Sequence, residues 1–200
     1  MSYWLRAKPV RRARAVAVED IAREAVDVLD EHGIQALSLR SLAGTLRVAP
    51  ASLYSRISGV DDVLDLALDH ALTTDAPFRR ALDEVGHLDL LVAYYRHLIA
   101  HPWAVTVVTL RPPRGPAYLN FSETLCKRLQ QDGVDNVLTT AYAMSNYVLG
   151  CAATAQAAAR EPHTPAIQER SPLYERLRSE YEHSPDVVVQ EGLKALRHIR

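Results

Sequence analysis

The sequence is poor in the residue types on which several protein classes depend, and cysteine is the first of them. Only Cys126 and Cys151 occur in 200 residues, which is too few for a disulfide framework and is typical of a cytoplasmic protein with reduced thiols. No stretch approaches the about 18 consecutive apolar residues of a membrane-spanning helix. The opening residues, MSYWLRAKPVRR, lack the apolar run of a signal peptide. We therefore expect a cytoplasmic protein with no membrane partner.

Glycine is also scarce, with eight in the chain, and no P-loop, glycine-rich dinucleotide turn or nucleophile elbow is present. His97 and His101 have the i, i+4 spacing of a two-histidine metal site, but no glutamate follows His97 and no third ligand is near it in the sequence. The sequence therefore indicates no cofactor, no metal and no catalytic residues. An all-α enzyme acting on a hydrophobic small molecule stays open as an alternative, although its catalytic residues are not evident.

The net charge is small, at −1, but the charges are unevenly distributed. Residues 1–17 carry five basic side chains and no acidic one. Residues 1–56 have nine basic against six acidic side chains, whereas residues 57–200 have fourteen against eighteen. A basic first segment on an acidic body is typical of a protein that presents one end to a polyanion such as DNA. A basic tail that is only solvated is the alternative interpretation.

Apolar residues recur at helical spacing along nearly the whole chain. In residues 18–32, Ile21, Ala25, Val28 and Leu29 share one helix face. The same spacing predicts further helices at 87–100, 102–110, 117–131, 135–160, 173–183 and 186–199. No strand-like alternation, repeat or low-complexity tract occurs. The sequence therefore predicts an all-α fold with about nine or ten helices, and an exposed proline-containing loop at 161–172.

Two short helices near the basic end form a helix-turn-helix pattern. Ser38 can cap a helix that runs to Leu46, and Pro50 opens another after a three-residue turn. In DNA-binding proteins the second helix of such a pair enters a major groove about 12 Å wide. The candidate DNA contacts are Arg12 and Arg14 in the basic arm, together with Ser38, Arg40, Ser41, Arg47, Ala51, Ser52, Tyr54 and Arg56. Any helical hairpin can mimic this pattern, so a further signal is needed.

That signal is a resemblance to a known family. The run SLRSLAGTLRVAPASLYSRISGVDDVLDLAL (38–68) fits the pattern LxxLAxxLxVxxxSLYxxI and resembles the DNA-binding domain of TetR-type transcriptional regulators. Farther along, LRPPRGP (110–116) and SNYVLGCA (145–152) resemble the tetracycline-repressor-like branch of that family. The resemblance covers about residues 18–155, in order and with family-like spacing.

The resemblance implies a function and a domain organisation. We expect a homodimeric, ligand-responsive repressor that binds double-stranded operator DNA and is released by a small-molecule inducer. Its parts would be a basic arm (1–17), a helix-turn-helix DNA-binding domain (18–62) and a helical ligand-binding and dimerisation domain (63–200). For the dimer interface we expect the small residues of GCAATAQAAA (150–159) and the apolar stripe Val189, Leu193, Leu196 and Ile199.

Two departures from the family pattern affect DNA binding. Arg47 stands where the turn glycine is usual, and Val60 stands where a phosphate-binding lysine is common. If residue 47 has a positive φ, a side chain there costs on the order of 1 kcal/mol. The basic arm could compensate for the lost lysine by lying in a minor groove. A TetR-shaped protein that acts through protein partners without binding DNA is therefore a further alternative.

A third departure affects the ligand. Val107 and Thr154 stand where the tetracycline repressor has its metal-binding histidine and its glutamate, so magnesium-tetracycline is not the expected ligand. In such a family several residues on the helices of the second domain should line the pocket, although core packing is the alternative for each. The candidates are Tyr94, His97, Trp103, Val107, Tyr118, Phe121, Tyr142, Asn146 and Tyr147. They favour a large apolar ligand with a few oxygens, such as a polyketide-like antibiotic or a pathway intermediate.

Overall fold

The computed structural model describes residues 2–5, 16–158, 171–180 and 185–196. The candidate DNA contacts Arg12 and Arg14 lie outside the described residues, as do most of the predicted loop 161–172 and Ile199 of the predicted dimer stripe. The described part is helical and contains no strand, which confirms the all-α fold. A short 3-10 turn, Tyr3–Leu5, precedes the first helix. The α-helices are α1 (Val18–His32), α2 (Leu39–Thr45), α3 (Pro50–Leu53), α4 (Val60–Thr74), α5 (Ala76–Glu84), α6 (His87–Ala100), α7 (Pro102–Leu110), α8 (Pro116–Gln131), α9 (Val137–Ala158), α10 (Pro172–Glu180) and α11 (Pro185–Leu196).

The first four helices form the unit that carries the helix-turn-helix. Glu19 and Asp20 lie in the first turn of α1, where carboxylates favour the positive end of the helix dipole. Gly33 ends α1 with φ 76°, and its amide bonds the carbonyl of Leu29 at 3.0 Å. α1 packs mainly against α4 and also contacts α2. Its buried face is made by Ile21, Ala22, Ala25, Val26 and Leu29.

The structure differs from the predicted helices in two places. α3 ends at Leu53, so Tyr54 is its C-cap and residues 54–56 form a turn. A separate helix, α5, follows α4, because Asp75 accepts a hydrogen bond from the amide of Phe78 at 2.9 Å and so starts a new helix.

The second half of the chain packs around α6. This helix contacts α5, α7, α8, α9 and α11. Val189 and Leu193 of α11 are fully buried within the chain. The prediction that these two residues form a stripe for a partner subunit is therefore wrong, because α9 and α6 already cover them. The exposed large apolar residues of α11 are Val187 and Val188.

Three carboxylates on one face of α4 connect the two halves. Arg111, just after α7, contacts Asp61 at 3.0 Å and the buried Asp65 at 3.1 Å. Asp69 accepts a hydrogen bond from the amide of Ala117 at 2.7 Å and so holds the start of α8. The predicted domain boundary at residue 62 lies inside α4, which packs on α1 and also binds residues 111–117. α4 therefore belongs to both units.

The contact between α4 and α8 predicts the effect of a single methyl group. In the present backbone the β-carbon of an alanine at residue 115 would collide with the carboxylate of Asp69. We expect Gly115→Ala to lower the free energy of unfolding by about 1–3 kcal/mol, measured by urea denaturation. Gly44→Ala is the matched control, because its added carbon meets nothing within 4 Å on the exposed side of α2. An equal loss in both variants would contradict the role of Gly115.

Candidate DNA-binding and ligand-binding surfaces

Two serines build the start of α2. The hydroxyl of Ser38 accepts a hydrogen bond from the amide of Ser41 at 3.0 Å, and the amide of Ser38 donates to the hydroxyl of Ser41 at 3.1 Å. This is a reciprocal capping box made from two serines. Both residues are exposed, but the Ser41 hydroxyl is already within bonding distance of the carbonyls of Ser38 and Ala36. Ser38 is therefore better placed than Ser41 to bond an additional partner.

Arg47 closes α2 in a conformation that glycine usually adopts. Its φ is 54°, and it is the only non-glycine residue of the described chain with a positive φ. The amide of Arg47 bonds the carbonyl of Gly44 at 3.1 Å, and the amide of Val48 bonds that of Ala43 at 2.9 Å. These two bonds form a Schellman motif with Arg47 at the position after the C-cap. The condition stated for strain at residue 47, a positive φ, is therefore met, and the Arg47 side chain is exposed.

The remaining candidate DNA contacts differ in accessibility. Arg40 and Ala51 are exposed, Ser52 is half-buried, and Tyr54 is 61% exposed although it is a large aromatic residue. Arg56 is half-buried. Leu53, between Ser52 and Tyr54, and Ile57, after Arg56, are fully buried and hold α3 to the unit. These residues of α2, of α3 and of the turn after α3 supply cations, hydroxyls and an exposed aromatic ring, which are groups that contact phosphates and base edges.

The first residues of the chain lie against the same unit, which the sequence did not predict. The hydroxyl of Ser2 and the amide of Tyr3 both donate to the carboxylate of Asp65, at 2.8 and 2.9 Å. Burial raises the pKa of Tyr3, and the nearby charge of Arg56 opposes that rise. The rings of Tyr3 and Trp4 meet edge to face at 5.2 Å. The two aromatic residues before the basic residues were the available signal for this anchored segment.

A cavity of about 560 Å³ lies between α8, α9 and the segment after α7, and we call it the α8–α9 cavity. Three of the candidate ligand residues line it: Tyr118, Tyr142 and Asn146. Tyr142 is 64% exposed, so the cavity opens to solvent on the α9 side. Further lining residues that the sequence did not single out are Val108, Thr109, Pro112, Pro113, Arg114, Leu119, Ser122, Leu125, Cys126, Leu138, Ala141, Ser145 and Leu149. For the lining residues on α9, the sequence signal was their spacing, because they recur every three to four positions and so share one helix face.

Most of the other candidate ligand residues are part of the core. Tyr94 and Phe121 pack with ring centroids 4.6 Å apart, and burial raises the pKa of Tyr94 well above its usual value. Val107 is buried as well, so its neighbour Val108 faces the cavity instead. Their side chains support the walls of the cavity without lining it.

Trp103 and Tyr147 have structural partners. The indole nitrogen of Trp103 donates to Asp30 of α1 at 2.6 Å, so this buried residue joins α7 to the helix-turn-helix unit. The hydroxyl of Tyr147 donates to the carbonyl of Val188 at 2.7 Å and so holds α11 on α9. Neither residue lines the α8–α9 cavity.

His97 lies in a second cavity, which we call the α5–α6 cavity. It has a volume of about 840 Å³ and lies between the end of α4, α5, α6 and Gln190 of α11. The Nδ1 atom of the buried His97 is 2.8 Å from the carboxylate of Asp75. His101, 4.8 Å away between ring centroids, pairs with Asp30 at 2.8 Å. Within the described ranges no group of three or more histidine, cysteine, aspartate or glutamate side chains is placed to hold a metal ion. No described helix is long and apolar enough to cross a membrane.

Comparison with known proteins identifies relatives over most of the chain. Residues 87–194 match the family "Tetracyclin repressor-like, C-terminal domain". An HTH-type transcriptional regulator of Saccharopolyspora erythraea is 35% identical over 185 residues, which are 88% of this chain and 75% of that protein. The HTH-type transcriptional repressor DrrR1 of Streptomyces coeruleorubidus is 31% identical over 147 residues. That alignment covers 68% of this chain and 53% of DrrR1, so the chain spans about half of that relative.

Solved structures share the fold. SCO7222, described as a TetR from Streptomyces coelicolor, superposes with a TM-score of 0.71 at 23% identity, covering 90% of this chain and 95% of that one. The TetR family protein ActR of Streptomyces coelicolor, in complex with actinorhodin, superposes with a TM-score of 0.68 at 20% identity, covering 90% and 94%. At these identities the likeness concerns the fold alone.

The conformation of Arg47 predicts opposite effects on stability and DNA binding. Glycine adopts a positive φ without strain, so we expect Arg47→Gly to raise the free energy of unfolding by about 1 kcal/mol. If the guanidinium contacts phosphate, affinity for DNA should fall in the same variant. Arg47→Ala is the control, because it removes the charge and keeps the strain. Urea unfolding and DNA titration of both variants separate the effects, and an unchanged stability of Arg47→Gly would contradict the strain.

Proposed function

The chain belongs to the TetR family of transcriptional regulators, and on that basis we propose that it is a homodimeric repressor whose helix-turn-helix binds double-stranded operator DNA. An apolar inducer with a few oxygens, bound in the α8–α9 cavity, would release the DNA. The observation that carries the proposal is the exposed polar face of α2 and α3, above the buried residues Leu42, Ala43 and Leu53. The named relatives are transcriptional regulators, so we assign the cavities to ligand binding and not to enzymatic catalysis.

The candidate contacts divide into two roles. Ser38 and Arg40, at the start of α2, and Arg47, in the turn, are suited to phosphates, because a helix N-terminus and a guanidinium both favour an anion. Ser52 and Tyr54 lie on α3 and its C-cap, and we assign them to the groove together with Ala51. Arg12 and Arg14 would follow a minor groove from the segment that Asp65 anchors.

For the dimer we propose the outer face of α9 and α11. Gly150, Ala153 and Thr154 are exposed small residues on α9, which allow a second helix to approach closely. Val187 and Val188 are about half exposed on α11 and supply apolar area next to them.

The path from the cavity to the DNA passes through Arg111. Pro112 and Pro113 line the α8–α9 cavity, and Arg111 immediately before them binds Asp61 and Asp65 of α4. A ligand that displaces this segment therefore shifts α4 relative to the body, and α4 packs against α1. This supports inducer release through a movement of the helix-turn-helix unit.

The DNA-binding proposal predicts a salt-dependent effect of one arginine. We expect the wild type to bind a fragment of the DNA upstream of its own gene. The affinity should decrease steeply as the salt concentration rises, because phosphate contacts release counterions. Arg40→Ala should lower the affinity and reduce the salt slope by about one unit. The measurement is a fluorescence-anisotropy titration at several salt concentrations, with light scattering to show two chains per site.

Arg79→Ala is the matched control, since Arg79 is exposed on α5 outside the proposed surface. It should leave affinity and slope unchanged. If the wild type binds no genomic fragment specifically, the repressor proposal fails, and a TetR-shaped protein that acts through protein partners becomes the better interpretation.

The ligand proposal is tested with actinorhodin as the probe, because ActR, which has the same fold, is found in complex with it. We expect saturable quenching of tryptophan fluorescence in the wild type. Asn146→Leu should weaken binding about fivefold or more, since it removes a polar group from the cavity wall. Asn120→Leu makes the same change on the exposed side of α8, outside this cavity, and should have no effect. Equal weakening by both variants would argue against the α8–α9 cavity.

A further inference from the structure

The α5–α6 cavity is lined by a histidine, His97, with a buried ring nitrogen that no part of the described chain bonds. The side chain of His97 is fully buried and lines the cavity, and its Nε2 atom has no hydrogen-bond partner among the described residues. The rings of Phe78 and His101 lie beside it, with centroids 5.7 and 4.8 Å away. A buried polar atom without a partner destabilises the folded state, because its hydrogen bond to water is lost and not replaced. A ligand group that bonds Nε2 from the cavity recovers this cost.

The partner of the other ring nitrogen determines what Nε2 can bond. Asp75 accepts a hydrogen bond from the amide of Phe78, and its pKa is lowered by the hydrogen bond from His97. Nδ1 of His97 therefore carries a proton, which it donates to the ionised carboxylate. Burial lowers the pKa of His97, so the ring is neutral and Nε2 is an acceptor. The cavity consequently offers an acceptor to a ligand that has a hydrogen-bond donor.

The charges around the cavity favour one kind of donor. Its lining includes three carboxylates, Asp75, Glu84 and Asp89, and two guanidiniums, Arg80 and Arg96. Arg96 is paired with Asp186 of α11 at 3.2 Å, which offsets its charge. The remaining lining includes several small apolar side chains of α5 and α6, which suit a hydrocarbon body. These charged and apolar lining residues together fit a molecule with an apolar body and a cationic hydrogen-bond donor.

We propose that the α5–α6 cavity is a second ligand site, separate from the α8–α9 cavity, which binds a small molecule with an apolar body and a protonated amine that donates to Nε2 of His97. Asp75 fixes the tautomer that makes Nε2 an acceptor, and Asp89 contributes negative charge at the rim. His101, next to His97, is held by Asp30 of α1. A ligand in this site therefore lies next to the helix-turn-helix unit.

The test uses three probes of one shape: tryptamine, tryptophol and indole-3-acetate, which carry an ammonium, a hydroxyl and a carboxylate. Each is titrated into the full chain without DNA, and the imidazole signals of its eight histidines are followed by NMR. We expect tryptamine to shift the His97 signal saturably and to bind about threefold or more tighter than tryptophol, since the rim charge adds to the hydrogen bond. Indole-3-acetate should bind weakest.

Two variants locate the site. His97→Phe removes the acceptor but keeps a ring, and it should weaken tryptamine binding about tenfold or more, because the bond to a charged donor is lost. Asp89→Asn changes only an exposed side chain, so it tests the charge at the rim even if His97→Phe impairs folding. It should weaken the binding of tryptamine about twofold to threefold and leave the binding of tryptophol unchanged. Asn146→Leu, in the α8–α9 cavity, should have no effect.

The proposal is overturned if no probe shifts the His97 signal saturably, if tryptophol or indole-3-acetate binds as tightly as tryptamine, or if Asp89→Asn leaves tryptamine binding unchanged. These outcomes leave the repressor proposal intact, because the titrations contain no DNA. Failure of DNA binding would likewise leave the amine site intact.

Discussion

The buried carboxylate of Asp65 is the contact on which the arrangement of the two halves depends. It accepts hydrogen bonds from Ser2 and from the amide of Tyr3, and it pairs with Arg111 from the far half of the chain. A buried carboxylate is costly unless donors surround it, so these three partners must be in place together. The first residues, α4 and the segment beside the α8–α9 cavity therefore adopt one relative position. In the proposed function, a ligand at that segment and DNA at the helix-turn-helix would therefore act on the same helix.

Pairs of a histidine and a carboxylate join the other elements. His87 pairs with Asp132 at 2.6 Å, which ties the start of α6 to the end of α8, and His97 pairs with Asp75 between α6 and α5. His101 pairs with Asp30, which also accepts from Trp103. Apolar packing allows small shifts of a helix, whereas each of these pairs has one short distance to satisfy. The walls of the α5–α6 cavity are held by two of these three pairs, and its shape is therefore well defined before any ligand enters.

The helix-turn-helix was predictable from the sequence because its signals are local. Each signal acts within a few residues and is found in the backbone: Ser38 caps α2, Pro50 is the first residue of α3, and Arg47 has the positive φ that glycine usually adopts at this turn. The cavities were less predictable. Tyr94 and Phe121 have the spacing and chemistry of pocket residues, as Tyr118 and Tyr142 do, but the first two are core. Helical spacing predicts which residues share a face of a helix, but it does not predict which other helix covers that face. This matters for α6 in particular, because other helices pack on several of its faces.

The sequence by itself determined the all-α fold, most helix boundaries, the position of the helix-turn-helix and the family, since these depend on periodicity, capping residues and a local pattern. Only the tertiary structure decided which aromatic residues face a cavity, that His97 lies apart from Tyr118, and that α4 binds the first residues and Arg111 through one carboxylate. The physical reason is the range of the interactions. A cap acts over three or four residues, whereas Asp65 and Ser2 are 63 residues apart in the chain and meet only after the helices have packed.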